Sequence, residues 1–173
     1  MSARSVRGLH LVEIAIGIVL LAVVGAFTLP RFSQAAPESQ RPPLRASLDT
    51  LRNAIERYCY DHVAWPGQKT DGQNPGGSAA ALIAQLTQYT DRDGIASPER
   101  TARFCYGPYL REGLPGCPVG SAVGRRGVHV VRGDALPGCV PDADAAWIYN
   151  CDTGTIVANS DAVDPSGRRH DEY

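Results

Sequence analysis

The sequence predicts an α+β fold: a long N-terminal hydrophobic helix, then an amphipathic helix, then a small antiparallel β-sheet. Three observations predict it. Residues 11–29 form an apolar run that is interrupted only by Glu13 and Thr28. Residues 44–62 place apolar side chains at steps of three and four, which is the spacing of one buried helix face. Beyond Ser97 the apolar segments are short and rich in β-branched and aromatic residues, as is typical of strands.

The composition narrows the class of protein. The 173 residues carry 17 basic and 18 acidic side chains, a formal net charge of −1. A chain without basic excess is not built for nucleic acid, so we expect no such partner. None of the five cysteines forms a CxxC pair. This pattern favours an oxidising compartment with disulfides over a zinc site.

The apolar run has the length of a membrane span. Its nineteen residues would cover about 28 Å as a helix, close to the ~30 Å hydrocarbon core of a bilayer. Arg4 and Arg7 precede the run, which predicts a cytoplasmic start and an external head. Glu13 is costly inside a membrane, at about 2.5–3.5 kcal/mol on insertion scales. It is therefore either functional or placed at headgroup depth, and the residues alone leave both interpretations open.

Residues 8–32, GLHLVEIAIGIVLLAVVGAFTLPRF, resemble the cleavage and methylation signal of type IV prepilins and type II secretion pseudopilins. In that family a glycine precedes the cut bond and a glutamate is the fifth residue of the mature chain. Gly8 and Glu13 stand in this relation, with Leu9 as the new first residue. Pro30 lies where the family has a proline well along the apolar helix. The motif is specific because these residue types match at fixed spacing.

The resemblance extends along the chain with two departures at the processing site. Leu9 replaces the usual phenylalanine, and His10 replaces the usual small polar residue. The segments that are similar to a bacterial subgroup of proteins related to the major type II pseudopilin are LRNAIERYCYDHVAWPGQ, LIAQLTQYTDRDG, YGPYL and WIYNCDTGTIVAN. The resemblance therefore implies a pilin-like fold with a long helix and a small antiparallel sheet.

The resemblance implies a structural subunit of a filament and not an enzyme. A prepilin peptidase would cut between Gly8 and Leu9 and methylate the new amine of Leu9, and Glu13 and Pro30 would serve assembly. The implied partners are other copies of the chain, minor pseudopilins, the inner-membrane assembly platform and membrane lipid. The implied location is the bacterial inner membrane, crossed once, with the head in the periplasm. A secretion pseudopilus and a surface pilus both remain open.

Two alternatives compete with this reading. Ser33-Gln34-Ala35 before Ala36 has the small-x-small pattern of signal peptidase, which would release a secreted domain. The apolar run exceeds the 7–15 residues of a usual signal peptide, which argues against it. The second alternative is a secreted or membrane-anchored binding module that uses aromatic loops. Its binding surface would contain Tyr106, Tyr109 and Trp147, which otherwise belong to the core of a small sheet.

The chain divides into a leader peptide, a transmembrane and assembly helix, a proline-rich joint, a globular head and a polar tail. These are residues 1–8, 9–32, 33–43, 44–160 and 161–173. Pro37, Pro42 and Pro43 should kink or break the helix in the joint, because each lacks an amide donor. We expect the tail to be mobile because it is polar.

The head carries recognisable local signals. Arg52 can pair with Asp49 and Glu56 at helical spacing. Ser78 can cap a second helix that begins SAAALIAQL. The segments AWIYN and TIVAN flank Asp-Thr-Gly and predict a hairpin. Asp91 and Asp93 precede Gly94 in a predicted turn.

Cofactor and disulfide predictions are separate. No cofactor is expected. Asp91 and Asp93 are weak calcium candidates, since the later ligands of a calcium loop are missing. Cys117 and Cys139 flank a glycine-rich segment and Cys151 lies in the hairpin turn, so we predict that one bridge joins two of these three. The spacing does not decide which two.

Overall fold

The computed structural model describes residues 15–17, 41–135, 138–140 and 144–173. The chain separates into two compact units, Met1–Ser39 and Gln40–Tyr173. The second unit is the head, and nearly all described residues belong to it. Its described residues form two α-helices and five short strands in two sheets, so it is α+β.

Helix α1, Arg41–His62, is the longest element of the head. Its predicted stripe is confirmed, because every side chain on it is buried: Leu44, Leu48, Leu51, Ile55, Tyr58 and His62. The helix begins earlier than predicted, since Pro42 and Pro43 lie in its first turn. That turn needs no amide donors, so prolines are tolerated there and do not break this part of the helix.

Helix α2, Ala79–Thr87, begins as predicted, because the Ser78 hydroxyl accepts from the amide of Ala81 at 3.2 Å. It is followed by a two-stranded antiparallel sheet, β1 (Tyr89–Thr90) and β2 (Ala96–Ser97). The predicted turn between them is confirmed. Gly94 has φ +85° and donates its amide to the carbonyl of Asp91 at 3.1 Å.

The second sheet has three strands in the order β3 (Val128–Val131), β4 (Trp147–Asn150) and β5 (Ile156–Ala158). The predicted hairpin is confirmed, since β4 and β5 are antiparallel and Tyr149 pairs with Ile156. Strand β4 is central and fully buried. The side chains of Trp147, Tyr149 and Ile156 join the stripe of α1 in one hydrophobic core.

The predicted fold class is wrong in two respects. First, strand β3 runs parallel to β4, with Val128 opposite Trp147, so the sheet is mixed and not antiparallel. Residues 132–146 connect these strands and are long enough for the crossover that parallel pairing needs. Second, none of the helices in the described ranges is long and apolar enough to cross a bilayer. The long helix of the described chain is the amphipathic α1.

The tail, predicted to be mobile, packs against the head. Val163 forms a β-bridge with Arg169, and a 3-10 helix follows at His170–Glu172. The ring of Tyr173 lies under the guanidinium groups of Arg45 (5.2 Å) and Arg168 (4.5 Å). Arg52 of α1 donates to a main-chain oxygen of Tyr173. These contacts tie the tail to α1.

Candidate functional site

The predicted processing and assembly residues lie outside the described part of the chain. These residues are Gly8, Leu9, Glu13 and Pro30. Cleavage, methylation and the part played by Glu13 therefore stay predictions. The head has other candidate features, described below. They lie at the end of α1 and beside this helix.

The aromatic residues of the alternative binding surface belong largely to the core. Trp147 is fully buried and its indole N–H donates to the carbonyl of Pro115 at 3.0 Å. Tyr109 is also buried, and its hydroxyl donates to the Asp61 carboxylate at 2.7 Å. Burial first, and then this hydrogen bond, raise the pKa of Tyr109. Tyr106 is half-buried. The aromatic loops thus present little open surface for a ligand.

All five cysteines are free thiols in the structure, and the disulfide among three of them stays a prediction. The three candidates are engaged separately. Cys117 donates to the carbonyl of Val119, and the Cys139 thiol lies 3.3 Å from Oδ1 of Asn159. Cys151 is buried where β4 ends. Burial raises the pKa of each of these three thiols, which disfavours the nucleophilic thiolate form.

The carboxylate of Asp91 is occupied by protein donors. Its Oδ1 accepts from the amides of Asp93 and Ile95, both at 3.0 Å. Its Oδ2 accepts from two nitrogens of Arg103, at 2.9 and 2.8 Å. The side chain of Asp93 is exposed. The calcium candidates Asp91 and Asp93 therefore belong to a turn that is held by hydrogen bonds to the Asp91 carboxylate. The described residues contain no group of three or more His, Cys, Asp or Glu side chains placed to hold a metal ion.

His62 closes the end of α1 and lies among aromatic rings. Its Nδ1 lies 3.0 Å from the carbonyl oxygen of Tyr58, one turn earlier, so the ring folds back over the last turn of the helix. Its Nε2 lies 3.0 Å from the carbonyl oxygen of Asp91 and from the hydroxyl of Thr90. The ring stacks on Tyr58 with centroids 4.0 Å apart. Tyr106 packs edge-on against it. His62 is therefore a structural joint between α1 and the β1–β2 turn.

Directly beside this joint, two apolar side chains point into solvent. Tyr60 is 88% exposed and Val63 is 91% exposed. We call these two residues the α1-end patch. Val63 also has φ +51°, whereas every other residue with positive φ among the described ones is glycine. For a residue with a Cβ this conformation costs about 1–2 kcal/mol. The amide of Val63 donates to the carbonyl of Cys59 at 2.8 Å and holds the bend.

An open groove of about 450 Å³ lies beside Thr50 of α1. We call it the 110–115 groove. Its lining includes the apolar side chains of Leu110, Leu114 and Pro115. Charged side chains line it as well, two of them basic and one acidic. The residues that line it are Thr50, Tyr109, residues 110–115 and Arg126.

The sequence analysis missed both surfaces. Tyr60 and Val63 lie off the buried stripe of α1, so the helical period already indicated that both side chains are exposed. No local signal could have shown the groove, because residue 50, residues 110–115 and residue 126 meet only in the folded head. The arrangement provides surfaces for contact with another macromolecule.

Comparisons with known proteins add no relative. No known family, no characterised protein and no solved structure matches this chain.

Proposed function

We propose that this chain is a structural subunit of a type II secretion pseudopilus or a related pilus-like filament. One observation carries the proposal: Gly8 and Glu13 stand five residues apart at the start of an apolar run that ends at Pro30. A plain membrane anchor has no need of an acidic residue, which costs free energy in the apolar run. A processing and assembly signal needs both residues.

In this proposal a prepilin peptidase cuts after Gly8 and methylates the amine of Leu9. Segment 9–32 holds the subunit in the inner membrane until the assembly platform and minor pseudopilins start a polymer. In the polymer, the carboxylate of Glu13 requires a positive partner, because a desolvated charge is stable only when it is paired. Cleavage creates that partner, the amine of Leu9, on a neighbouring copy. Assembly then depends on prior cleavage.

The head is consistent with a subunit that works through surfaces. It is small, its core is closed by α1 and the mixed sheet, and it exposes an apolar patch and a groove. Subunits that repeat by a heterologous contact that does not close into a ring form open helical filaments, which is the expected product.

Sequencing the N-terminus of the mature protein tests the proposal most directly. We expect an N-methylated Leu9. In the variant Gly8→Val we expect uncut protein that is still inserted in the membrane, since a larger side chain obstructs the bond in the peptidase. A mature chain that begins at Ala36 would instead establish secretion by signal peptidase, and the proposal would fail.

Two variants of Glu13 separate assembly from processing. Glu13→Ala should be inserted, cut and folded, yet should give no multimer ladder when membranes are cross-linked. Glu13→Asp keeps the charge and should give partial ladders. A wild-type ladder from Glu13→Ala would mean that Glu13 is only a carboxylate at headgroup depth.

A further inference from the structure

The α1-end patch and the 110–115 groove are two surfaces that could contact each other between copies. The patch is apolar and exposed, with Tyr60 88% and Val63 91% exposed. The groove has a volume of about 450 Å³, which is large enough for a tyrosine side chain, and its lining includes the apolar side chains of Leu110, Leu114 and Pro115. Single exposed apolar residues need no explanation, but two adjacent ones, one of them held in an unfavourable backbone conformation, do. We propose that the α1-end patch of one copy docks in the 110–115 groove of the next copy.

The charges around the two surfaces support a second copy as the occupant. Exposed Glu56 lies one helical turn before Tyr60, and exposed Arg111 and Arg126 line the groove. Each side also carries one charge of the opposite sign, Arg57 beside the patch and Glu112 in the groove. With Asp61, which also lies beside the patch, the net charge is negative beside the patch and positive in the groove, a complementarity that gives specificity to an interface.

The two surfaces of one copy cannot meet. Thr50 of the groove and Tyr60 of the patch are ten residues apart on the rigid helix α1, which is about 15 Å along the helix axis at ~1.5 Å per residue. Docking therefore needs a second copy. A patch-to-groove contact in one direction is heterologous, and it extends from copy to copy unless it closes on itself.

This inference rests on the proposed function, since it assigns the contact between heads in the proposed polymer. It adds the residues that specify the contact, which the N-terminal signal leaves open. Tyrosine is a residue type that commonly dominates the energy of an interface, so Tyr60 should be the main anchor.

Photo-cross-linking in membranes of cells that express the full-length chain tests the proposal. The probe is p-benzoylphenylalanine in place of Tyr60, with the same probe in place of Val163 as the matched control. Val163 is also an exposed apolar side chain, at 60%. We expect the probe at position 60 to yield dimers whose linked peptides fall within residues 110–126 of a second copy. The probe at position 163 should yield no link to that segment.

Charge exchange gives an independent measure. Arg126→Glu should lower the yield of the position-60 cross-link, and adding Glu56→Arg in the same chain should restore it. Replacing Val63 with serine while retaining the probe should lower the yield less than charge reversal does. In a conventional cross-linking ladder, Tyr60→Ser should reduce multimers by about tenfold or more, as expected for loss of an aromatic anchor.

The outcomes separate this inference from the proposed function. If wild-type protein forms multimers but the probe at position 60 links elsewhere or not at all, the docking contact is wrong and the filament proposal stands. If wild-type protein forms no multimers, the filament proposal fails and the docking contact with it. Links from position 60 to residues 110–126 that persist undiminished in Arg126→Glu would overturn the assigned charge pairing.

Discussion

Two turns of the head, residues 91–95 and 164–168, share one backbone pattern. In each, the first residue is a buried aspartate, and its carbonyl accepts from the amide three residues on, at 3.1 and 2.9 Å. One carboxylate oxygen of each aspartate accepts from the amides two and four residues on. The fourth residue of each is a glycine with positive φ, +85° and +82°.

The turns differ in what their second carboxylate oxygen holds. In the first turn, Asp91 receives two hydrogen bonds from Arg103, which follows strand β2. In the second turn, Asp164 accepts a hydrogen bond from the hydroxyl of Tyr173, which holds the tail in place. The surroundings differ as well. Gly94 packs against the hydroxyl of Tyr58, whereas Gly167 has no neighbour within 4 Å of an added Cβ.

The comparison teaches that a D-x-x-G-x segment builds its turn from local hydrogen bonds, and that the tertiary partner then decides the turn's structural role. The first turn is part of the packed junction at the end of α1. The second turn holds the tail through the hydrogen bond between Asp164 and Tyr173. Equivalent substitutions should therefore have unequal effects.

The largest contrast is expected from the glycines. An added Cβ at Gly94 would lie 2.5 Å from the Tyr58 hydroxyl, so Gly94→Ala adds a clash of about 1–3 kcal/mol to the cost of positive φ, about 1–2 kcal/mol. Gly167→Ala should incur only the cost of positive φ, because nothing lies within 4 Å of the added Cβ. Urea denaturation of the full-length protein in detergent should show Gly94→Ala as the less stable by more than about 1 kcal/mol. Equal losses would contradict the packed-junction interpretation.

The next effect concerns the carboxylate of the first turn. Asp91→Ala leaves two amides without an acceptor and removes an ion pair, and should cost about 2 kcal/mol. The ion pair with Arg103 should contribute little to this loss of stability, because the Arg103 side chain is 67% exposed and screened by solvent. The matched control is Asp93→Ala in the same turn, which should change the urea midpoint little. A similar loss from both would mean that Asp91 is not the brace.

A smaller effect is expected in the second turn. Tyr173→Phe keeps the ring between Arg45 and Arg168 but removes the hydroxyl bonded to Asp164. The loss should be about 1 kcal/mol, the usual net contribution of one hydrogen bond. Tyr60→Phe serves as control, since that side chain is exposed. Limited proteolysis should also reveal faster cleavage of the tail in Tyr173→Phe only.

The smallest effect is a pH dependence in the tail. Burial lowers the pKa of His170 and outweighs the nearby carboxylates of Asp164 and Asp171, which raise it. The unfolded chain therefore binds a proton more readily than the folded head as pH falls below about 6.5. Stability should decline between pH 7.5 and 5.5, and His170→Asn should flatten this decline in thermal unfolding. An unchanged slope would show that His170 does not contribute to it.

Features that depend on near neighbours in sequence were predicted well. The stripe of α1, the Ser78 cap, the turn at Gly94 and the β4–β5 hairpin all follow from hydrogen bonds or periodicities that span a few residues. The predicted ion pairs of Arg52 on α1 were not found among the described residues, because its guanidinium donates instead to main-chain oxygens of Ile156 and Tyr173.

For the candidate surfaces, too, the sequence predicted only what depends on near neighbours along the chain. The exposed positions of Tyr60 and Val63 could be read from the helical period of α1, but their partner groove could not. The bridge among Cys117, Cys139 and Cys151 stays a prediction: all three are free thiols in the structure, and sequence spacing does not specify how side chains meet in space.

By itself, the sequence determined the apolar segment and the individual helices and turns of the head, whereas the signal of Gly8, Glu13 and Pro30 stays a prediction. Only the tertiary structure decided that β3 joins β4 in parallel, that the tail folds back on α1, and that a groove forms beside Thr50. The physical reason is the separation along the sequence of the residues that interact. Helix periodicity, capping and tight turns are settled within about four residues, whereas strand pairing and groove formation depend on segments that approach each other after long loops close.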